Sequence, residues 1–213
     1  MAYLPGCFCM LSVSNLSCVR ADHTLFRGVG FDLAPGECLH LEGGNGVGKT
    51  SLLRILAGFS PAAQGQVRWQ GELLGNSACR LSQDLLYLGH QLALKEELNA
   101  LENLQAGAAI AGTPVSLDAA LAALQGVGLS SRAALPVRVL SQGQKRRVAL
   151  ARLLIQAQPL WLLDEPFVAL DGPAQQLVAS FMEEHLARGG MALFTSHQPV
   201  DIGGRSRSYR LGA

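Results

Sequence analysis

A glycine-rich run at residues 43–50, which reads G-G-N-G-V-G-K-T, limits the possible fold and function of this chain more than any other part of the sequence. It fits the phosphate-binding pattern G-x-x-x-x-G-K-[ST]. The apolar run 38–41 before it predicts a strand, and residues 50–57 after it carry apolar side chains at helical spacing. Strand, glycine turn and helix in this order bring backbone N–H groups to a helix N-terminus, which favours phosphate binding. The run therefore predicts a nucleoside triphosphate site rather than a structural glycine turn.

The chemistry of a triphosphate assigns roles to individual residues of this loop. Glycines let the backbone approach the phosphates closely. Lys49 is expected between the β- and γ-phosphates, and the Thr50 hydroxyl is expected on Mg²⁺, so the expected cofactors are ATP and Mg²⁺. The predicted ATP-binding residues of the loop are Gly43, Gly44, Asn45, Gly46, Val47, Gly48, Lys49, Thr50 and Ser51.

Two acidic residues, Asp164 and Glu165, directly follow the continuous apolar run 160–163. Such a run is typical of a central parallel strand, and a carboxylate buried unpaired at the end of that strand is costly. We therefore interpret Asp164 as a residue that serves a cation. A solvated acidic pair at a strand end is the alternative.

Two further motifs stand at set distances from this acidic pair. Residues 140–144 read L-S-Q-G-Q, with Gln144 placed 20 residues before Asp164, and His197 lies 33 residues after Asp164. Loop, signature-like run, acidic strand and late histidine occur in the order found in the ATP-binding-cassette (ABC) ATPases. The chain resembles that family, since chance agreement of four spaced motifs is improbable.

The resemblance implies catalytic and metal-binding roles. Asp164, together with Thr50, would hold Mg²⁺. Glu165 matches the catalytic glutamate that polarises the attacking water, and His197 matches the switch histidine that contacts the γ-phosphate. Asp171 resembles the aspartate of the D-loop, which links the two catalytic sites of a dimer.

The signature-like run implies a homodimer of cassettes, because in this family each signature caps the ATP of the partner cassette. The run also opens a helix, whose N-terminal dipole can hold a phosphate. Gln142 stands where the family usually has its first glycine, and we expect a less close phosphate approach there without loss of function. The predicted signature residues are Ser141, Gln142, Gly143 and Gln144.

Two nucleotide contacts of the family have no direct match in this chain. The Q-loop position falls on His90 when counted without gaps, and Gln91 comes one residue later. Either could contact Mg²⁺ or the attacking water. The position of the adenine-stacking aromatic falls near Arg20, and arginine can stack on a base as a cation.

The alternation of strand-like and helical runs predicts an α/β fold with a mostly parallel core sheet. The resemblance implies an ABC-type P-loop NTPase fold with a small antiparallel β part. It further implies a single nucleotide-binding domain over residues 10–213. An Ala/Leu-rich helical pattern indicates a helical subdomain at about 95–143. Because strand-like alternation begins at Leu11, residues 1–9 are expected to be a disordered or non-native extension. Strands are predicted at 11–19, 29–33, 38–41, 66–70, 85–88, 160–163 and 191–194, and helices at 50–57, within 98–135, at 144–158 and at 171–188.

Composition and charge exclude several classes of function. A net charge of +1 gives no electrostatic argument for a nucleic-acid partner, and we expect none. No run of 18 apolar residues predicts a membrane span, and residues 1–10 lack the basic start of a secretory leader. The five cysteines are interpreted as reduced cytosolic thiols. A metal pair at Cys7 and Cys9 is the alternative, but no second pair with ligand spacing follows.

The residues around the motifs resemble the ATPase subunits of the bacterial cytochrome c maturation system. Matching runs include residues 86–91 (L-Y-L-G-H-Q), 98–104 (L-N-A-L-E-N-L) and 160–166 (L-W-L-L-D-E-P). The likeness implies a peripheral subunit on the cytoplasmic face of the inner membrane, bound to an integral-membrane transporter subunit. It also implies ATP hydrolysis that supports haem export, with a periplasmic haem chaperone as an indirect partner. The ATPase of a different ABC transporter is the main alternative, followed by a soluble ABC ATPase and a non-catalytic cassette.

Overall fold

The computed structural model describes residues 11–197 and 200–212. The predicted extension at 1–9, with Cys7 and Cys9, lies outside these residues. The chain divides into two compact units: the first contains residues up to 89, 158–165 and 182 onwards, and the second contains 90–157 and 166–181. No helix of the described residues is long and apolar enough to cross a bilayer.

The described elements alternate along the chain as an α/β fold requires. The strands are β1 (Leu11–Arg20), β2 (His23–Leu33), β3 (Cys38–Glu42), β4 (Gln64–Trp69), β5 (Glu72–Leu73), β6 (Leu85–Leu88), β7 (Leu160–Leu163), β8 (Met191–Thr195) and β9 (Ser206–Arg210). The helices are α1 (Lys49–Leu56), α2 (Leu81–Asp84), α3 (Ala100–Ile110), α4 (Leu117–Gly126), α5 (Gln142–Leu150), α6 (Arg152–Ile155) and α7 (Gly172–Ala187).

The core of the first unit is a five-stranded sheet with the order β6-β7-β8-β3-β9, and every pair in it is parallel. All residues of β7 and β8 are buried, which explains why their sequences are continuous apolar runs. The predicted parallel core is therefore confirmed. Because parallel strands end at the same edge, the residues that follow β3, β7 and β8 lie close together, and this edge is where ligands of open α/β sheets bind.

A second sheet of the first unit is antiparallel, with the order β2-β1-β4-β5. Strands β1 and β2 form a hairpin whose two turn residues, Ala21 and Asp22, both have positive φ angles, as a two-residue hairpin turn requires. The predicted run 66–70 is β4, which pairs with β1 and buries Val67 and Trp69. The small antiparallel part of the prediction is confirmed.

Strand β9 has no counterpart among the predicted strands. Its sequence, S-R-S-Y-R, has no apolar run, because an edge strand leaves most of its side chains exposed. Backbone pairing places it beside β3, and its side chains contact both β3 and β2. The Ser208 hydroxyl donates a 2.6 Å hydrogen bond to Glu42, and the ring of Tyr209 lies 5.3 Å from that of Phe31.

In the second unit, helices α3 and α4 end where the glycine-containing interruptions of the sequence predict. The predicted helix 144–158 has different ends. It starts earlier, at Gln142, because Ser141 caps it, and Ala151 divides it into α5 and α6. It stops at Ile155, because Gln156 is extended and the chain approaches Pro159, which cannot continue a helix.

His185, in the first-unit part of α7, is buried. Its ring stacks on Trp161 with centroids 3.8 Å apart, and its Nε2 lies 3.1 Å from the carbonyl oxygen of Met191. Burial lowers the pKa of His185 from 6.5 to about 4, although the backbone hydrogen bonds oppose this shift. Between these pH values the unfolded chain binds a proton that the folded protein does not bind.

We therefore expect the free energy of unfolding to fall as the pH decreases from about 6.5 to about 4, by a total of order 3 kcal/mol. The His185→Gln variant should lack much of this dependence, whereas a variant at the exposed His23, His23→Gln, should keep it. Urea unfolding at pH 7.5 and pH 5 measures the difference. Equal acid sensitivity in wild type and His185→Gln would contradict the assignment.

Candidate functional site

The phosphate loop occupies the turn between β3 and α1, and a side chain added to Gly43 or Gly48 would make close contacts. Gly48 has a φ angle of 102°, and an added Cβ would lie 3.0 Å from the ring of Phe26. An added Cβ on Gly43 would lie 2.9 Å from the carbonyl oxygen of Leu211. The loop backbone therefore packs tightly against Phe26 and Leu211 of the same unit, in the conformation that its glycines permit.

Lys49, the first residue of α1, is 7% exposed and reaches back along the loop. Its Nζ donates hydrogen bonds to the carbonyl oxygens of Gly43 at 2.7 Å and Gly44 at 3.0 Å. No side chain caps the N-terminus of α1, where Gly48 is the N-cap residue. The ammonium and the N-terminal N–H groups of α1 together form a site suited to phosphate.

Asp164 lies directly after β7 and is 2% exposed. Its Oδ2 accepts a hydrogen bond from the Thr50 hydroxyl at 2.8 Å, and its Oδ1 accepts one from the Thr195 hydroxyl at 3.0 Å. These contacts join the starts or ends of three elements, α1, β7 and β8. Because two hydroxyls bond the buried carboxylate, they offset the cost of burying it. The sequence alone did not indicate this pairing.

The oxygen donors of Asp164 and Thr50 are of the type that Mg²⁺ binds. Among the described residues, no cluster of three or more His, Cys, Asp or Glu side chains could hold a metal. Mg²⁺ is usually held by one or two carboxylates plus substrate phosphates rather than by an all-protein cage. The residues therefore fit an Mg²⁺ ion that arrives with a nucleotide.

Glu165 and His197, the two predicted catalytic residues, contact each other. The Nε2 of His197 lies 2.8 Å from the Oε1 of Glu165. Glu165 has a φ angle of 53°, which is unfavourable for a residue with a side chain, and its N–H donates a 2.8 Å hydrogen bond to Thr195. The fold thus holds Glu165 in a strained backbone conformation beside Asp164, with its carboxylate partly exposed.

Thr195, which bonds Asp164 and Glu165, and His40, which contacts the backbone of Ser196 next to His197, were not predicted from the sequence. Thr195 is fully buried at the end of β8 and bonds both Asp164 and Glu165. His40 stacks on Phe194, with centroids 4.6 Å apart, and its Nε2 lies 3.3 Å from the carbonyl oxygen of Ser196. A polar residue that ends a buried apolar run, as Thr195 does, is the signal that could have identified the first of them.

The remaining predicted ATP contact of the first unit, Arg20, lies at the exposed end of β1. Its guanidinium donates a 3.3 Å hydrogen bond to Ser60. In the second unit, His90 and Gln91 are both exposed and follow β6. His90 or Gln91 as the Q-loop residue stays a prediction, as does stacking of Arg20 on a base.

The predicted signature residues, all in the second unit, form the N-terminus of α5. The Ser141 hydroxyl accepts a hydrogen bond from the N–H of Gln144 at 3.2 Å, and the Gln144 side chain accepts one from the N–H of Ser141 at 3.0 Å. This reciprocal pair is a capping box, which the S-x-x-Q pattern could have predicted. Gln142 and Gly143 occupy the first two helical positions, and the substituted Gln142 side chain is exposed.

Comparison with known proteins gives consistent results. Residues 26–168 match the family model described as ABC transporter. The cytochrome c biogenesis ATP-binding export protein CcmA of Dechloromonas aromatica is 52% identical over 204 residues, which cover 95% of this chain and 100% of that protein. The protein of the same name from Pseudomonas aeruginosa is 48% identical, with 96% and 100% coverage.

Solved structures support the fold. A putative ABC transporter ATP-binding protein from Pyrococcus furiosus superimposes with a TM-score of 0.81 at 23% identity, covering 93% of this chain and 96% of that one. A bacterial Atm1-family ABC exporter with ATP bound gives a TM-score of 0.82 at 21% identity, covering all of this chain and 40% of the exporter.

Proposed function

The chain belongs to the ABC transporter family and is an ATPase, and we propose that it drives haem export for cytochrome c biogenesis. The observation that carries the catalytic part is the contact of Asp164 with both Thr50 and Thr195, directly beside the Glu165–His197 pair. This geometry supports ATP hydrolysis at the edge of the parallel sheet, where the phosphate loop lies close to Glu165 as the catalytic base. The relatives of similar length supply the cytochrome c biogenesis part.

In the proposed mechanism the first unit binds the triphosphate of ATP. Lys49 and the loop backbone bind its phosphates. Thr50 and Asp164 would hold Mg²⁺, which would supply positive charge to neutralise the phosphate oxygens. The Glu165 carboxylate orients a water molecule and accepts its proton as the water attacks the γ-phosphorus; the bond from that phosphorus to the β–γ bridging oxygen breaks, so that ADP leaves and inorganic phosphate forms. His197 orients the Glu165 carboxylate through its Nε2 and contacts the γ-phosphate.

We propose that residues 10–213 form one nucleotide-binding domain, with a helical subdomain at about 95–143. Two such domains would act as a homodimer, in which the Ser141–Gln144 capping box and Gly143 of one cassette meet the ATP of the other. The N-terminus of α5 supports this role, because it presents N–H groups and a positive dipole end. His90 or Gln91 and Arg20 would complete the nucleotide contacts.

The proposed partner is an integral-membrane transporter subunit, which places the chain as a peripheral protein on the cytoplasmic face of the inner membrane. A periplasmic haem chaperone would be an indirect partner, and no nucleic-acid partner is proposed. The decisive experiment is purification of the tagged chain from detergent-solubilised membranes. Recovery of membrane subunits of cytochrome c biogenesis supports the proposal, whereas recovery of another transporter's subunits would assign the ATPase to that transporter.

The segment 92–94 is the proposed docking site for the membrane partner. Leu92 and Leu94 are partly exposed, and Ala93 between them has a φ angle of 53°. Directly after this segment, the Asn103 side chain fixes the backbone of Lys95. It accepts a 2.7 Å hydrogen bond from the N–H of Lys95 and donates one to the carbonyl oxygen of Lys95. The partly exposed side chains of Leu92 and Leu94 thus lie directly before a residue, Lys95, whose backbone is held in place.

Replacing Leu94 with aspartate should lower the fraction of protein bound to membranes by about tenfold or more, because a charge would be buried against an apolar partner surface. ATP binding should be unchanged. Leu117→Asp, which places the same charge on an exposed leucine of α4, is the matched control. Membrane fractionation and ATP binding of the soluble fraction are the measurements, and full membrane recovery of Leu94→Asp would place docking elsewhere.

A further inference from the structure

We propose that Arg147 is a positioning residue that holds the D-loop (residues 169–171) against the signature helix α5. The inference rests on the proposed function, in which both the signature and the D-loop meet the partner cassette. It adds a residue that lies outside the motifs themselves. Arg147 comes three residues after the last signature residue, Gln144, on the same helix.

The first contact is an ion pair between α5 and the D-loop. The Nη2 of Arg147 donates hydrogen bonds to both carboxylate oxygens of Asp171, each at 2.9 Å. The Oδ1 of Asp171 also accepts a 3.0 Å hydrogen bond from the N–H of Ala174, in the first turn of α7. Asp171 is therefore held from two helices at once, and its side chain has a defined direction.

The second contact is a close approach of two backbones. A Cβ added to Gly143 would lie only 3.1 Å from the carbonyl oxygen of Ala169, whose own φ angle is 60°. Gly143 and Arg147 are four residues apart, so they lie on the same face of α5. One face of the signature helix thus contacts the D-loop at both ends of the loop.

The third contact joins α7 to the backbone in and just before the D-loop. The side-chain amide of Gln175 in α7 donates hydrogen bonds to the carbonyl oxygens of Phe167 at 3.4 Å and Leu170 at 3.2 Å. Between Gln175 and Arg147, the loop has little freedom to move independently of the signature. The two surfaces that would face the partner cassette therefore form one preorganised edge.

The exposure of the Arg147–Asp171 ion pair favours a positioning role over a role in folding. The side chains of Arg147 and Asp171 are 30% and 61% exposed, and an ion pair this exposed contributes little to the stability of a fold. Loss of the pair should therefore leave the protein folded but misplace the D-loop. Misplacement of reacting or positioning groups by even 1 Å can reduce turnover substantially.

The test is a double-mutant cycle on the full chain, with Arg147→Gln, Asp171→Asn and the double variant. Each single variant should lower kcat by about 10- to 100-fold with KM for ATP changed by less than about twofold, and the double variant should be no worse than either single variant. Arg147→Lys, which keeps the charge, should recover part of the activity. Thermal unfolding temperatures should stay at the wild-type value.

Asp171→Asn decides the outcome if Arg147→Gln fails to fold, since the asparagine oxygen can still accept from Ala174. Arg188→Gln, which breaks the exposed pair of Arg188 with Glu184, is the matched control and should keep full activity. Multiplicative losses in the double variant, or unchanged kcat in both single variants, would overturn the positioning role. A wild-type protein without ATPase activity would instead contradict the proposed function.

Discussion

Replacing Glu165 with glutamine is expected to slow ATP turnover by about 10²- to 10⁴-fold while ATP binding is retained. Glutamine has nearly the same shape as glutamate, so the φ angle of 53° and the backbone hydrogen bond to Thr195 can persist. The amide oxygen can still accept from the Nε2 of His197, 2.8 Å away in the wild type. The variant loses only the ability to take a proton from the attacking water.

Steady-state phosphate release and equilibrium ATP binding separate these two properties. Glu184→Gln, which changes an exposed glutamate of α7, is the matched control and should keep wild-type turnover. Because ATP persists on the slow variant, Glu165→Gln should also form a homodimer with ATP and not without it, as measured by light scattering during size exclusion. Wild-type turnover in Glu165→Gln would mean that another group activates the water.

Replacing Lys49 with alanine is expected to weaken ATP binding by about 100-fold or more. The ammonium is nearly buried and bonds Gly43 and Gly44, so it is already directed along the phosphate loop before nucleotide binds. A hydrogen bond to a charged group contributes about 1.5–3 kcal/mol, and each 1.4 kcal/mol is a tenfold change in affinity. Loss of two such bonds to phosphate therefore corresponds to at least two orders of magnitude.

Titration calorimetry with ATP in the presence of Mg²⁺ measures this change directly. Lys95→Ala is the matched control, because Lys95 has an exposed side chain and bonds Asn103 only through its backbone. Lys49→Ala and Glu165→Gln should thus fail at different steps, the first at binding and the second at hydrolysis. Wild-type affinity in Lys49→Ala would contradict the placement of the phosphates along this loop.

Much of the site was predictable because its chemistry is contiguous in the sequence. The phosphate loop at 43–50 stands between a strand and a helix, and the acidic pair follows a continuous apolar run. Both signals arise from local physical requirements: close backbone approach to phosphate and burial of a strand on both faces. The capping boxes that begin α5 at Ser141 and α3 at Asn99 are equally local, and their S-x-x-Q and N-x-x-E patterns could have predicted both helix starts.

The predictions that missed an element or its ends concern segments in which burial imposes no apolar pattern on the sequence. Strand β9 is an exposed edge of the parallel sheet, so its residues carry no apolar pattern. The ends of the helix after the signature also depend on caps and on an extended Gln156 rather than on periodicity. Element boundaries of this kind follow from individual hydrogen bonds.

By itself the sequence determined the phosphate loop, the acidic strand end, the α/β class and the family. Only the tertiary structure decided which side chains meet there. Thr195 bonds Asp164 from 31 residues away, His197 meets Glu165 from 32 residues away, and Arg147 meets Asp171 from 24 residues away. Such pairings depend on the order of the strands in the sheet and on which helix face is turned inward. Both are set by the packing of the whole core, so no local run of residues encodes them.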